Sequence, residues 1–250
     1  MSKKFVAIAP FLRSNNTVVT LGIRAALGDY SKQERNALLS ADLILFPTAR
    51  FARIFESAGK STFPGSFTYS VQKSRLIREV MFQFLRCPHP RTRIYYGRQK
   101  LSIARDFRFP FRAAGPSAIL RSRRIADPKA LAAMIAEVNP LIIQEEVEYE
   151  RRFRLTFINY ECACIHECPP ASPADFFEPV HIEQFDPHIL SELQSILRTV
   201  HIDDIAVQVG LNGPGWKVID MTRPPVSWIS SGQRIKRHEY ISKLIDSGRL

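Results

Sequence analysis

Leu141-Ile142-Ile143-Gln144-Glu145-Glu146-Val147 is a short apolar run that turns acidic at its end, the pattern of a buried strand. Residues 152–167 follow it, rich in β-branched and aromatic side chains, and predict one long strand. Residues 205–211 and 216–221 are two further strand-like runs. Asn212-Gly213-Pro214-Gly215 between them supplies the residues of a tight turn, so the pair predicts an antiparallel hairpin. The second arm of that hairpin runs into Val218-Ile219-Asp220-Met221-Thr222-Arg223-Pro224-Pro225.

Strand and helix signals alternate over the rest of the chain, which predicts an α/β protein with α+β lobes. Residues 5–9 are a buried-strand run bounded by Pro10. Ser31 caps a helix reaching Ala41, with Glu34 placed as in a capping box. Residues 42–47 give a second buried strand, and residues 49–58 a helix stopped by Gly59. Parallel strands flanked by helices make this segment a small three-layer lobe. Residues 68–86 predict a single long helix, with Leu76, Ile77, Val80, Met81, Phe84 and Leu85 on one face. Cys87-Pro88-His89-Pro90 ends it, because a residue before proline resists the helical conformation.

Residues 92–96 predict a strand closed by Gly97, and residues 107–111 and 118–121 a hairpin around Ala114-Gly115-Pro116. Asp127 and Pro128 open a helix as cap and first residue. Residues 169–179 hold prolines without periodicity and predict a loop. Residues 187–198 are helical in pattern, and residues 232–245 predict a closing basic amphipathic helix.

With 250 residues, 45% of them hydrophobic, the chain can bury one substantial core or a few small lobes. No apolar run is long enough to span a bilayer, and residues 5–10 are too short for a secretory signal. Four cysteines in such a length do not make a disulfide framework, so the expectation is a soluble cytoplasmic protein with no membrane partner. Thirty-five Lys and Arg against 24 Asp and Glu give a formal charge of +11, which attracts polyanions. Nucleotide, nucleic acid and acidic peptide all satisfy that charge. No zinc finger, RNA-recognition signature or helix-turn-helix pattern accompanies it, and Tyr95, Tyr96, Trp216 and Trp228 fall on or beside strands that a core would claim. A basic nucleic-acid binder is therefore the lesser reading.

The order of these segments resembles the ATP-grasp superfamily, in particular its ribosomal-protein glutamate ligase and glutathione synthetase branch. The resemblance rests on a lysine-bearing helix followed by Cys87-Pro88-His89-Pro90-Arg91-Thr92, the hinge Ile143-Gln144-Glu145-Glu146-Val147, and the terminal Val218 to Pro225 stretch. It implies a Rossmann-like pre-ATP-grasp lobe at residues 1–67, a lid and N-terminal subdomain at 68–143, and a C-terminal subdomain at 144–250. It also implies an ATP-dependent ligase that joins a carboxylate to an amine through an acyl phosphate, with ATP and Mg2+ as cofactors.

Site residues follow from the same resemblance. Lys73 and Arg112 are expected on the phosphates, and Gln144, Glu145, Glu146 and Val147 around the adenine and ribose. Arg154 and Arg223 are expected on the carboxylate or acyl phosphate, and Asp220 and Thr222, two apart on one strand face, on magnesium. The chain departs from the family's pattern in four places. Arg112 stands where a lid lysine is usual, and the glycine-rich lid loop is reduced to residues 113–117. Arg152 replaces an acid, and the first metal acid falls near the neutral Gln208, with Asp203 and Asp204 upstream. These departures leave a non-catalytic nucleotide-binding or regulatory module as the alternative.

Cys162, Cys164, His166 and Cys168 alternate as if on one strand face. Neighbours there stand about 6.6 Å apart, whereas zinc needs its ligands at about 2.0 to 2.3 Å. The expectation is half-buried side chains and no metal.

Overall fold

The computed structural model describes residues 3–118, 122–169, 178–230 and 232–250. Three larger sheets and one small hairpin organise them. The first sheet is wholly parallel, in the order Val18–Thr20, Phe5–Ala7, Leu43–Leu45, Ser61–Phe63. Its two central strands, Phe5–Ala7 and Leu43–Leu45, are apolar because both faces are covered. Val6, Ile8 and Ile44 pack against Phe51 and Phe55 of the Ala49–Ser57 helix. Ala7, Leu45 and Phe63 instead meet Ile241, Leu244 and Ile245 of the last helix, Arg237–Asp246. The chain's C-terminal helix thus supplies the third layer of its N-terminal lobe. The Lys32–Ser40 helix starts as expected: the Glu34 N–H donates to the Ser31 hydroxyl at 3.2 Å, and the Glu34 carboxylate accepts from the Ser31 N–H at 2.7 Å.

The second sheet is antiparallel, in the order Thr92–Tyr95, Leu141–Glu145, Phe111–Ala114, Arg123–Ile125. Helix Pro128–Glu137, capped by Asp127, closes one face over Tyr95, Phe111, Leu141 and Ile143. The third sheet is also antiparallel, in the order Glu178–Val180, Glu161–Cys168, Arg151–Ile158, Asp204–Asn212, Gly215–Thr222. Helix Pro187–Thr199 packs Ile189, Leu193 and Leu197 against Leu155, Phe157 and Val207 of this sheet. No helix among the described residues is long and apolar enough to cross a membrane.

Several local expectations are corrected. Residues 68–86 form two helices, Ser66–Lys73 and Arg75–Phe84. Ser74 between them is extended (φ −121°, ψ 111°), and its hydroxyl caps the second helix at the Ile77 N–H. Tertiary bonds hold the break open: Ser74 bridges to Ser117, and the Arg75 N–H donates to the Pro116 carbonyl at 2.8 Å. The long strand of residues 152–167 is a hairpin, Arg151–Ile158 and Glu161–Cys168, turning at Asn159 and Tyr160 with φ of 50° and 65°. Two successive residues at positive φ match the twist of a two-residue hairpin turn.

A register shift between Cys162 and Cys164 then places these two on opposite sides of the sheet, in different hydrophobic clusters. The single cysteine face is therefore broken by a bulge, and no cluster of three metal-ligating side chains occurs among the described residues. The final helix is shorter than expected, because the hairpin Ser227–Ser230 and Gln233–Lys236 precedes it. The hairpin near residue 115 pairs Phe111–Ala114 with Arg123–Ile125, and residues 119–121 of the expected second arm lie outside the described residues. Residues 170–177 of the expected proline loop lie outside them too. Tyr95 and Trp228 are buried and Trp216 packs on a core, so these rings are occupied in packing, whereas Tyr96 is exposed.

Leu193 is wholly buried between its helix and the third sheet. Leu193→Ala should lower the unfolding free energy by about 2 to 5 kcal/mol, read from denaturant melts; a change below about 0.5 kcal/mol would contradict this packing.

Candidate functional site

Strand alternation leaves each antiparallel sheet a second face, and the two faces meet across a cavity of about 710 Å³. From the second sheet, Phe111, Ala113, Leu141 and Ile143 point to the core, so Arg112, Ala114, Ile142 and Gln144 point to the cavity. From the third sheet come Arg152, Gln208, Ile219 and Asp220. Residues 146–149, which carry the chain from one sheet to the other, form its back wall. Arg75 and Glu79 enter from the second of the two helices.

Of the residues expected at a site, Arg112, Gln144, Glu145, Glu146, Val147 and Asp220 line this one cavity. Lys73 does not: it ends its helix, exposed, with its carbonyl accepting from the Ala118 N–H. The helix break rotates the next turn, and Arg75 reaches the cavity instead, its guanidinium donating to the Ser117 carbonyl at 3.3 Å. Thr222 pairs with Ala206 one step beyond the cavity, and Arg154 stands beside Gln208 and His166 in the ladder. Arg223 is exposed, and its charge acts on Asp204 and Tyr69.

The hinge is held by charge. The Glu145 carboxylate accepts from the Arg91 N–H at 2.8 Å and from Lys217 of the other sheet at 2.9 Å. Burial acts to raise its pKa, but those partners outweigh it and hold the carboxyl below its usual range. Glu146 accepts from the Arg124 guanidinium at 2.7 Å. Tyr149 lies on Gly210, where a Cβ would come within 2.3 Å of the ring. Only glycine lets the ring form that part of the wall, and the Tyr149 hydroxyl, buried there, has no hydrogen-bond partner among the described residues.

The floor carries residues that sequence reasoning missed. Arg78 is 1% exposed and its guanidinium donates to both the Asp220 carboxylate and the Met221 carbonyl. Asp220 also accepts from the Met221 N–H at 2.9 Å. Gln208 stands directly opposite Asp220, next to a bulge that turns Ile219 toward the cavity as well. Asp203 and Asp204 do not compensate for that neutral residue. Asp203 caps the Ser66–Lys73 helix through the Gly65 N–H and the Thr68 hydroxyl, and Asp204 pairs with Arg237. The signal that exposes Arg78 is a charged residue placed between Ile77 and Met81, on the buried side of an amphipathic helix.

Magnesium needs several hard oxygen ligands, anionic ones foremost. Here the third sheet offers the cavity a single carboxylate, Asp220, already in contact with the Arg78 guanidinium, and Glu145 of the second sheet is paired with Lys217. Gln208 is neutral, Thr222 lies outside the cavity, and no set of three metal-ligating side chains occurs among the described residues. The donor set does not fit a magnesium ion held by the protein.

Glu79 is 5% exposed, and one of its carboxylate oxygens lacks a partner among the described residues. Burial pushes its pKa up to about 7, against the pull of Arg78, Thr92 and Arg75 and with a push from Asp220. A raised carboxyl stabilises the fold fully below its ordinary pKa, and this contribution is lost as pH rises through about 7. Glu79→Gln should therefore be more stable than the parent at pH 8, by roughly 1 to 3 kcal/mol, and should flatten the stability profile between pH 4.5 and 7. Equal losses in parent and variant over that window would contradict the assignment.

No protein-family model matches the chain, and no curated protein matches it either. Solved structures do. A RimK-domain ATP-grasp protein from Sphaerobacter thermophilus superimposes with a TM-score of 0.65 at 14% identity, covering 88% of this chain and 90% of that one. The ATP-grasp ligase PsnB, solved with a minimal precursor, gives 0.66 at 10% identity with both chains fully covered. D-alanine–D-alanine ligase from Bacillus anthracis, solved with ATP, gives 0.61 at 10% identity over 90% and 87%. PsnB has also been solved with Mg and ADP. With these superpositions spanning nearly its whole length, the chain has the ATP-grasp fold.

Proposed function

We propose that the cavity between the two antiparallel sheets binds ATP and that the protein is an ATP-dependent ligase joining a carboxylate to an amine. One observation carries this reading. In an ATP-grasp frame, guanidiniums, a hinge and a carboxylate-bearing terminal strand converge on one cavity of nucleotide size, about 710 Å³. Gln144, Glu145, Glu146 and Val147 are assigned to the base and ribose, with the Tyr149 hydroxyl as a further polar contact. Arg112 is assigned to the phosphates, and Arg75 takes the part expected of Lys73. Arg154 and Arg223 are assigned to the carboxylate substrate. Thr222 receives no role in this scheme.

In the proposed reaction a carboxylate oxygen attacks the γ-phosphorus, the bond to the β-phosphate oxygen breaks, and ADP leaves with its electron pair. The amine nitrogen then attacks the acyl carbon of the acyl phosphate. Phosphate departs, the C–N bond remains, and the amine's proton goes to solvent. The chain's own contribution is to position the reactants and neutralise charge with guanidiniums. No step is assigned to a metal.

A second reading, a nucleotide-binding module without turnover, is favoured by one feature: Asp220 is neutralised by Arg78 and faces the uncharged Gln208.

ATP at tenfold excess over its Kd should add about 1.4 kcal/mol, raising Tm by roughly 3 to 5 °C in thermal unfolding. Arg112→Ala, which removes a side chain whose bond is to Ser122, should lose most of that shift while keeping its ligand-free Tm. A parent protein whose Tm does not respond to millimolar ATP would refute the nucleotide site. ADP release stimulated by a carboxylate and an amine together separates ligase from module.

A further inference from the structure

Asp220 reaches the cavity from the terminal strand with a cation already bound behind it. Arg78 comes from the Arg75–Phe84 helix, is buried, and touches the Asp220 carboxylate and the Met221 carbonyl together. A guanidinium carries a fixed positive charge. A divalent ion approaching Asp220 would therefore meet like charge and a carboxylate whose field is cancelled. Across the ladder Gln208 brings no charge. Of the cavity's other carboxylates, Glu145 pairs with Lys217 and Glu146 with Arg124, Glu79 lies in the buried floor beside Arg78, and Glu148 is exposed on the segment that joins the two sheets.

Positive charge, by contrast, is at hand. Arg112 and Arg152 line the cavity with hydrogen bonds to the Ser122 hydroxyl and the Cys168 thiol, and neither is paired with an acid among the described residues. Arg75 joins them from the helix. Guanidiniums fit phosphate oxygens in a forked geometry.

Resting on the proposed nucleotide site, we infer that Arg78 takes the place of a divalent cation, so that the cavity holds a nucleoside triphosphate without a protein-bound metal. Asp220 is then a positioning residue for Arg78 and the floor, and the phosphates are met by Arg75, Arg112 and Arg152.

Calorimetric titration of ATP into the full chain, in EDTA and in excess magnesium, tests this on the parent and on Asp220→Asn. The parent should bind with a Kd that agrees within about threefold between the two buffers. Asp220→Asn, which removes a negative charge, should bind as tightly or more tightly in both. Arg78→Met, where it folds, should lose at least tenfold in EDTA and recover on adding magnesium, because Asp220 is then free to hold the ion. A parent that binds tenfold tighter with magnesium, with Asp220→Asn abolishing the difference, would overturn the inference and restore Asp220 as a metal ligand. Failure of the folded parent to bind ATP in either buffer would overturn the nucleotide site itself. The parent and Asp220→Asn decide the matter even if Arg78→Met does not fold.

Discussion

A guanidinium taken out of water is the constraint around which the centre of this protein is arranged. Desolvating Arg78 costs several kcal/mol unless its donors meet acceptors. The acceptors lie on the edge of the third sheet, at the carboxylate of Asp220 and the outward-facing carbonyl of Met221. An edge strand has unpaired backbone groups to offer, and this one is covered a second time where the Val218 N–H donates to the Pro88 carbonyl at 2.7 Å. Helix, edge strand and the segment between them are thereby locked in one arrangement. Removing either partner of such a buried pair typically costs about 3 to 5 kcal/mol.

That lock sets the cavity. It fixes the Arg75–Phe84 helix so that Arg75 and Glu79 face inward, and it presents Asp220 and Gln208 as a floor. The roof comes from the second sheet by strand alternation alone: the residues between its core positions have nowhere else to point. Lys217 and Glu145, both half-buried, tie the two sheets at the hinge. The N-terminal parallel lobe stands on the third sheet's remaining surface, through Ile158 and Cys164, and is closed by the last helix.

Much of this was legible in the sequence because it is local. The Ser31 and Glu34 capping box, the Asp127 and Pro128 helix start and the turn after Asn212 depend on residues a few positions apart. The hinge from Gln144 to Val147 and Asp220 were found through the order of segments, and they line one cavity. What stayed hidden depends on distant partners. Ser74 breaks a helix whose apolar spacing is unbroken, because Ser117 and Pro116 lie beside it. Asn159 and Tyr160 turn a hairpin without a glycine to announce it. The bulge at Cys162 changes which face a cysteine occupies without changing the alternation in the text. Arg78 and Glu79 resemble surface charges on a basic helix until Asp220, well over a hundred positions away, is brought to them.

The central claim is that the space between the two antiparallel sheets is where nucleotide binds. A crystal structure of the chain grown with a non-hydrolysable ATP analogue tests it most directly. The account predicts the base against residues 144–147 and the phosphates within hydrogen-bonding distance of Arg112. Nucleotide seated anywhere else, or an empty cavity at saturating analogue, would contradict it.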